Sequence, residues 1–357
     1  MFKKEIMISN KKIGLNYPTY FIADIAANHD GDLQRAKDLI FLAKEAGADC
    51  AKFQHFLADK IVSDYGFKHL KGNQSHQDSW KKSVYEIYDE NPCKREWTEE
   101  LAQTCKEADI EFMTTPYDVD AITQLNDYVN AYKIGSGDIS WLDFLEYIAK
   151  FNKPVLLATG ASTLEDVQRA VRYIEQYNSE IVLMQCNTNY TANLENMKYV
   201  NLNVLKSYHE LYPDIILGLS DHTFGHSAVM GAIALGARVV EKHFTDDNNR
   251  IGPDHKFAMN PKTWKEMVER SRELENALGD GIKRIEDNEK ETVIVQRRSI
   301  RLNKDKKVGE AVSMEDLEIL RPAPEHSYFP YEVNEVIGKK LILDKEKGDC
   351  LYRGELN

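Results

Sequence analysis

The chain has 357 residues, 42% hydrophobic and 29% charged, which suits one large domain with a smaller one beside it. Its net charge of −12 argues against nucleic acid as a partner, yet allows small anions wherever a site supplies its own lysines. No apolar run approaches the roughly 18 residues of a membrane span, "MFKKEIMISNKKIG" lacks a secretory h-region, and the cysteines at 50, 93, 105, 186 and 350 form no C-x-x-C pair, so reduced thiols in a cytoplasmic protein are expected.

From residue 20 to about 280, β-like runs alternate with amphipathic helical stretches. The predicted strands are "YFIADIAA" (20–27), "CAKFQ" (50–54), "EFMTT" (111–115), "AYKIG" (131–135), "PVLLAT" (154–159), "IVLMQC" (181–186), "IILGLS" (215–220) and "RVVEKH" (238–243). Between them, 32–47 places Leu33, Ala36, Leu39, Ile40 and Ala43 on one face and stops at Gly47. A helix over 162–177 opens on a Ser162/Glu165 capping-box pattern, and one over 260–279 opens on Asn-Pro and closes on Gly. Eight β-α units over about 260 residues predict a (β/α)₈ barrel. An open doubly wound sheet is the alternative, with no G-x-G-x-x-G after the first strand to support it.

Residues 55–96 interrupt that rhythm with a polar, aromatic insertion placed to hang over the C-terminal mouth. After the barrel (1–283) a charged connector is expected over 284–295, then a small β-rich domain over 296–357 whose core is thin enough to favour docking on a partner.

Barrel chemistry gathers at strand C-termini. The strand ends deliver Asp24, then Lys52 with Gln54, then Thr114 and Thr115, then Lys133 followed by Ser136 and Asp138. Later ends deliver Thr159, then Cys186 to Tyr190, then Ser220-Asp221-His222, and last Glu241 and His243. His222 and His243 end neighbouring strands, so two imidazoles, with Asp221 and Glu241 beside them, point to an open divalent-metal site. Satisfied structural histidines are the alternative. Lys52 and Lys133 inside apolar strands suggest an anion pocket for phosphate or carboxylate, the alternative being a solvated rim.

The motifs "FIADIAANHDGDL", "AKFQ", "TTPYD", "AYKIGSGD", "ATGAS", "GLSDHT", "EKHFT" and "GPDH", in this order, resemble the sialic (nonulosonic) acid synthases, and "KKVGEAVSMEDLEILRP" is similar to their antifreeze-like domain. The resemblance implies condensation of phosphoenolpyruvate with an N-acylated hexose, either N-acetylmannosamine or a 2,4-diacetamido-trideoxyhexose. It implies Mn²⁺, with Mg²⁺ or Co²⁺ as substitutes, on His222 and His243. Lys52, Thr115, Lys133, Ser136 and Ser220 then hold phosphoenolpyruvate, while Asp24, Gln54, Asp138, Tyr190 and Asp254 surround the sugar and the reacting carbons. Arg321 then reaches the sugar from the other subunit of a domain-swapped homodimer. Asp24 and Asp138 stand where the family usually has Glu, and Ala158 where many members have Ser. Two other functions stay open: a metal aldolase of another reaction on the same barrel, and a carbohydrate-binding protein without turnover.

Overall fold

Two short antiparallel strands, β1 (Ile6–Ile8) and β2 (Lys11–Ile13), open the chain in a computed structural model that describes residues 2–72, 77, 80–190 and 193–357. This hairpin has no counterpart among the predicted strands. All eight predicted strands form, with no end moved by more than three residues: β3 (Tyr20–Asp24), β4 (Cys50–His55), β5 (Glu111–Pro116), β6 (Tyr132–Ile134), β7 (Val155–Ala158), β8 (Ile181–Cys186), β9 (Ile216–Asp221) and β10 (Ala237–His243). They pair in parallel, in sequence order, and β10 closes on β3. This closed barrel excludes the open doubly wound sheet.

Alternation along each strand sorts the side chains. Tyr20, Ile22, Cys50, Met113, Leu156, Val182, Met184, Ile216 and Val239 point inward and pack in the lower half of the barrel with Ile6, Ile8 and Ile13 of the hairpin. The hairpin therefore plugs the N-terminal end. Outward residues such as Phe21, Phe53, Leu217 and Val240 form the larger core beneath the surrounding helices. The next inward positions of β3, β4, β5, β6 and β10 are polar, namely Asp24, Lys52, Thr115, Lys133 and Glu241, and there the site begins.

Helices Leu33–Glu45 and Pro261–Leu278 match their predicted spans, the second with Asn260 as N-cap and Pro at its start. The helix expected from Ser162 begins later, at Leu164, and its capping box is Thr163 with Asp166. Ser162 cannot serve because its hydroxyl donates to the Gly160 carbonyl and Ala161 takes a left-handed backbone, φ 51°. Among its described residues, the insertion after β4 forms the short α-helices Ala58–Ile61, Asp64–His69 and Val84–Glu90. Its residues 73–76, 78 and 79 lie outside the described residues, as do 191 and 192. Among the described residues, no helix is long and apolar enough to cross a membrane.

The chain divides into two compact units, Met1–Gly279 and Asp280–Asn357. The stretch expected as connector falls within the second unit. It carries the helix Lys290–Gln296, and the Ile294 carbonyl accepts from the Ala323 N–H. Strands β11 (Ser299–Leu302) and β12 (Leu317–Leu320) pair antiparallel around a core of Ile300, Leu302, Val312, Tyr328, Val336, Leu341 and Leu351. Isolated bridges such as Lys306 to Lys345 and Leu341 to Leu356 supply the rest of its β pairing.

Candidate active site

Register brings the polar ends of the strands to one height. Asp24 lies level with Lys52 and with His243, Gln54 with Thr115, and Ser220 with Glu241. Their side chains share the inward face and line an inner chamber with Lys133, Ser136, Tyr190 and His222. Ala158 stands in the same wall.

Lys52 is 1% exposed and Lys133 3%, so the solvated-rim alternative fails. Lys52 Nζ lies 2.8 Å from Asp24 and 3.2 Å from the Thr115 hydroxyl. Lys133 Nζ donates to Glu241 at 2.9 Å, and Ser220 donates to the same oxygen at 3.2 Å. Burial alone would drive Lys52 toward neutrality; Asp24 and Glu241 outweigh it and raise its pKa. Burial likewise works against ionised Asp24, yet Lys52, His243 and Gln54 hold it at about 2. The chamber thus presents two ammonium groups already surrounded by acceptors they can exchange for an anion.

The histidines face each other with ring centroids 5.4 Å apart, and Tyr190 packs on His222 at 4.3 Å. His222 Nδ1 meets the Asn187 carbonyl at 2.9 Å, which leaves Nε2 for another partner. Burial opposes a charge on His222, but Cys186, the Asn187 carbonyl and Asp221 outweigh it and raise its pKa. His243 is pushed down to about 3 by burial. Its Nδ1, Glu241 Oε2 and Asp138 Oδ2 are buried with no hydrogen-bond partner among the described residues. Asp24 and Asp254 stand 3.8 and 3.9 Å from the two nitrogens of His243. Among the described residues no three His, Cys, Asp or Glu side chains already form a metal cage.

The turn after β6 supplies Ser136, whose hydroxyl accepts from the Gly160 N–H at 2.9 Å. A Cβ at position 160 would lie 2.5 Å from Thr188 and 2.9 Å from that hydroxyl, so only glycine lets the two loops meet. Asp138 ends the same turn but is not among the residues that line either chamber, and burial raises its carboxyl to about 6.

Gln54, Tyr117, Tyr190 and His243 also border a second, outer chamber, walled by the insertion and by Asp254. Asp254 is held there by its loop. Asp30 takes Arg250 and His255, Arg35 bridges Asp30 to Asp246, and Asp254 accepts from the Ala27 N–H at 3.3 Å. Burial, then Asp24, raises Asp254 to about 6.

Asp221 does not face the site. Alternation turns it outward, where Lys242 Nζ contacts it at 2.5 Å and the Thr223 carbonyl at 2.6 Å, all buried. Thr114 also points out, toward His55 at 2.7 Å. Arg321 is exposed on the second unit, directly after β12. The sequence reading gave Glu241 no role of its own, yet it joins both lysines; its two-residue spacing from His243 already put it on the same face. Cys186, delivered at the end of its strand, is also in the chamber wall, as is Tyr117, which lies just past β5 and had no such strand-end signal.

Residues 39–283 match the model of the NeuB family. The chain is 34% identical to the N,N'-diacetyllegionaminic acid synthase of Legionella pneumophila, over 97% of this chain and 98% of that one. It is 30% identical to the human N-acetylneuraminate-9-phosphate synthase, over 95% and 93%. Among solved structures it resembles the N-acetylneuraminic acid synthetase of Leptospira borgpetersenii, with a TM-score of 0.71 and 26% identity over 82% of this chain and 95% of that one. A barrel with these residues at its mouth, matched over most of its length, belongs to the NeuB family.

Proposed function

We propose that the protein condenses phosphoenolpyruvate with an N-acylated hexose and water, giving a nonulosonic acid and phosphate. The observation that carries this reading is the pair of buried lysines in the inner chamber, which shares Gln54, Tyr117, Tyr190 and His243 with a second chamber. Relatives named as legionaminic, pseudaminic and N-acetylneuraminate-9-phosphate synthases support it.

Lys52, Lys133, Ser136, Thr115 and Ser220 hold the phosphate and carboxylate in the inner chamber. The sugar lies beyond, in its open-chain form, with its aldehyde at the junction by Gln54 and Tyr190. C3 of the enol attacks the aldehyde carbon, and the aldehyde oxygen takes up a proton to become a hydroxyl. Water adds at the resulting oxocarbenium C2 and gives up a proton. The C2–O bond then breaks and phosphate departs. Fixed geometry and fixed charges lower the barrier throughout. Asp138, at about 6, can hold or release a proton near neutral pH, whereas Asp24, at about 2, stays anionic beside Lys52.

The residues present fit a divalent cation between His222 and His243. Each ring has a nitrogen free to ligate, and surroundings that raise the pKa of His222 also favour a cation beside it. When bound, Mn²⁺ or a similar ion supplies Lewis-acid polarisation of the aldehyde oxygen. Chelation is expected to abolish phosphate release and Mn²⁺ to restore it. His222→Ala should match the chelated enzyme while keeping its circular dichroism; activity in either state sinks the metal assignment.

The second unit acts as the antifreeze-like domain, and Arg321 serves the sugar site of a partner in a swapped homodimer. Its guanidinium fork suits an acyl carbonyl. Mixing Arg321→Ala chains with His222→Ala chains, each inactive alone, should recover up to about a quarter of the activity, since about half the dimers are mixed and each has one whole site. Activity that stays near zero places Arg321 at its own barrel.

A further inference from the structure

The loop after β10 carries Asp254 to the outer chamber, yet little holds that carboxyl directly. Among the described residues its one hydrogen-bond donor is the Ala27 N–H, at 3.3 Å. A bond of that length fixes an orientation poorly, so the backbone of the loop has to do it. His255, the next residue, is wholly buried. Its Nδ1 meets the Thr245 hydroxyl at 2.7 Å, and its Nε2 donates to Asp30 at 2.9 Å, since a carboxylate can only accept.

Asp30 belongs to the turn after β3. Burial works against its charge, but His255, Arg250 and Arg35 outweigh burial and lower its pKa. These partners are not equivalent. Arg250 is exposed, where an ion pair contributes little, and Arg35 reaches only the start of the loop, at Asp246. His255 alone is both buried and joined to Asp254. The loop is also folded over its ring. A Cβ at Gly252 would stand 2.7 Å from His255 Cδ2 and 3.1 Å from Nε2, so the backbone just before Asp254 lies against the imidazole just after it. The Asn248 amide donates to the His255 carbonyl at 2.8 Å and pins the backbone there. The ring is thus enclosed by the turn that presents Asp254, and a shift of the ring moves the carboxyl. Beside that carboxyl stands His243 Nδ1, at 3.9 Å.

We propose that His255 is a positioning residue. Through its bond to Asp30 it locks residues 252–255 against the turn after β3 and aims Asp254 at the reacting end of the acceptor. Neither His255 nor Asp30 lines a chamber, so neither touches substrate. The proposal rests on the reading above that places the acceptor beside Asp254, and extends the working parts of the site to a pair outside it.

The test uses the full chain with Mn²⁺, phosphoenolpyruvate and, in parallel, N-acetylmannosamine and 2,4-diacetamido-2,4,6-trideoxymannose. Two amides divide the imidazole between them. His255→Gln places its donor near the position of Nε2 and keeps the reach to Asp30. His255→Asn places its amide near Nδ1, by Thr245, and loses Asp30. The Asn variant is expected to lose roughly tenfold to a hundredfold in kcat/KM for the acceptor, the scale of a misplaced reacting group, and the Gln variant to regain most of it. Phosphoenolpyruvate affinity, read by calorimetry, should be the same in all three proteins. In an Asp254→Asn background the change from His255 to Asn should cost clearly less, because the group it aims is already gone. A role in folding alone gives equal losses for Gln and Asn, and the same loss with or without Asp254; either result overturns the proposal, as does a loss that falls on phosphoenolpyruvate binding instead. A crystal structure of His255→Asn gives a reading that needs no turnover: Asp254 should have left the Ala27 N–H while Lys52 and Lys133 keep their places. If neither acceptor consumes phosphoenolpyruvate but Asp254 has moved in this way, the reaction proposed above falls and the positioning role stands. If Asp254 has not moved, the positioning role falls. Should His255→Asn not fold, Asp30→Asn carries the same measurements and the same outcomes, since position 30 has a left-handed backbone, φ 53°, which asparagine tolerates.

Discussion

Lys52→Met should lower both stability and catalysis. Lys52 is buried and lies 2.8 Å from Asp24 and 3.9 Å from Glu241. Methionine keeps most of the volume but leaves two carboxylates without this ammonium. Removing one partner of a buried pair typically costs about 3–5 kcal/mol. Asp24, now held at about 2, would rise and take up a proton. On phosphoenolpyruvate the lost charge-assisted contact should cost about 1.5–3 kcal/mol, or roughly 10- to 150-fold in kcat/KM. Denaturant unfolding and steady-state kinetics read the two effects separately. An unchanged unfolding midpoint would mean that Asp24 and Glu241 do not depend on Lys52.

The second large effect lies outside the chamber. Asp221 and Lys242 are level across β9 and β10, each one residue from a site histidine, and both face the helix layer. Lys242 also donates to the Thr223 carbonyl, and Asp221 accepts from the Thr223 N–H at 3.0 Å and hydroxyl at 3.1 Å. The pair thereby ties the turn after His222 to the strand that carries His243. Asp221→Ala and Lys242→Met should each cost about 3–5 kcal/mol. The double variant should lose clearly less than the sum, because neither then leaves a lone charge in the wall. Additive losses would show that the two side chains are not coupled.

The barrel was legible because eight period-two stretches carry apolar residues on both faces, as a buried parallel strand requires. The histidines and lysines were legible because a polar residue at the C-terminal end of such a stretch has few places to go. Asp221 misled for the same reason: it sits between Ser220 and His222, and only alternation, not adjacency, says that it turns away. Glu241 was within reach of that rule. The hairpin Ile6–Ile13 was not, since three-residue strands leave too short a pattern to read. Nor was the outer chamber's wall of Phe56, Ile87 and Tyr88, because it is set by how the insertion folds over the mouth, which no local periodicity encodes.

That hairpin has a kinetic consequence. With Ile6, Ile8 and Ile13 filling the base, the barrel is stopped at that end, and its two chambers share Gln54, Tyr117, Tyr190 and His243 toward the mouth. On the reading proposed above, the enol is held in the inner chamber and the sugar in the outer one, so the molecule bound deeper has to arrive before the one that stands in front of it. Release is bound by the same queue in reverse: whatever sits at the back waits for the front to clear. A plug of three isoleucines at the far end of the molecule thus imposes an order of events at the mouth, without touching a single reacting atom.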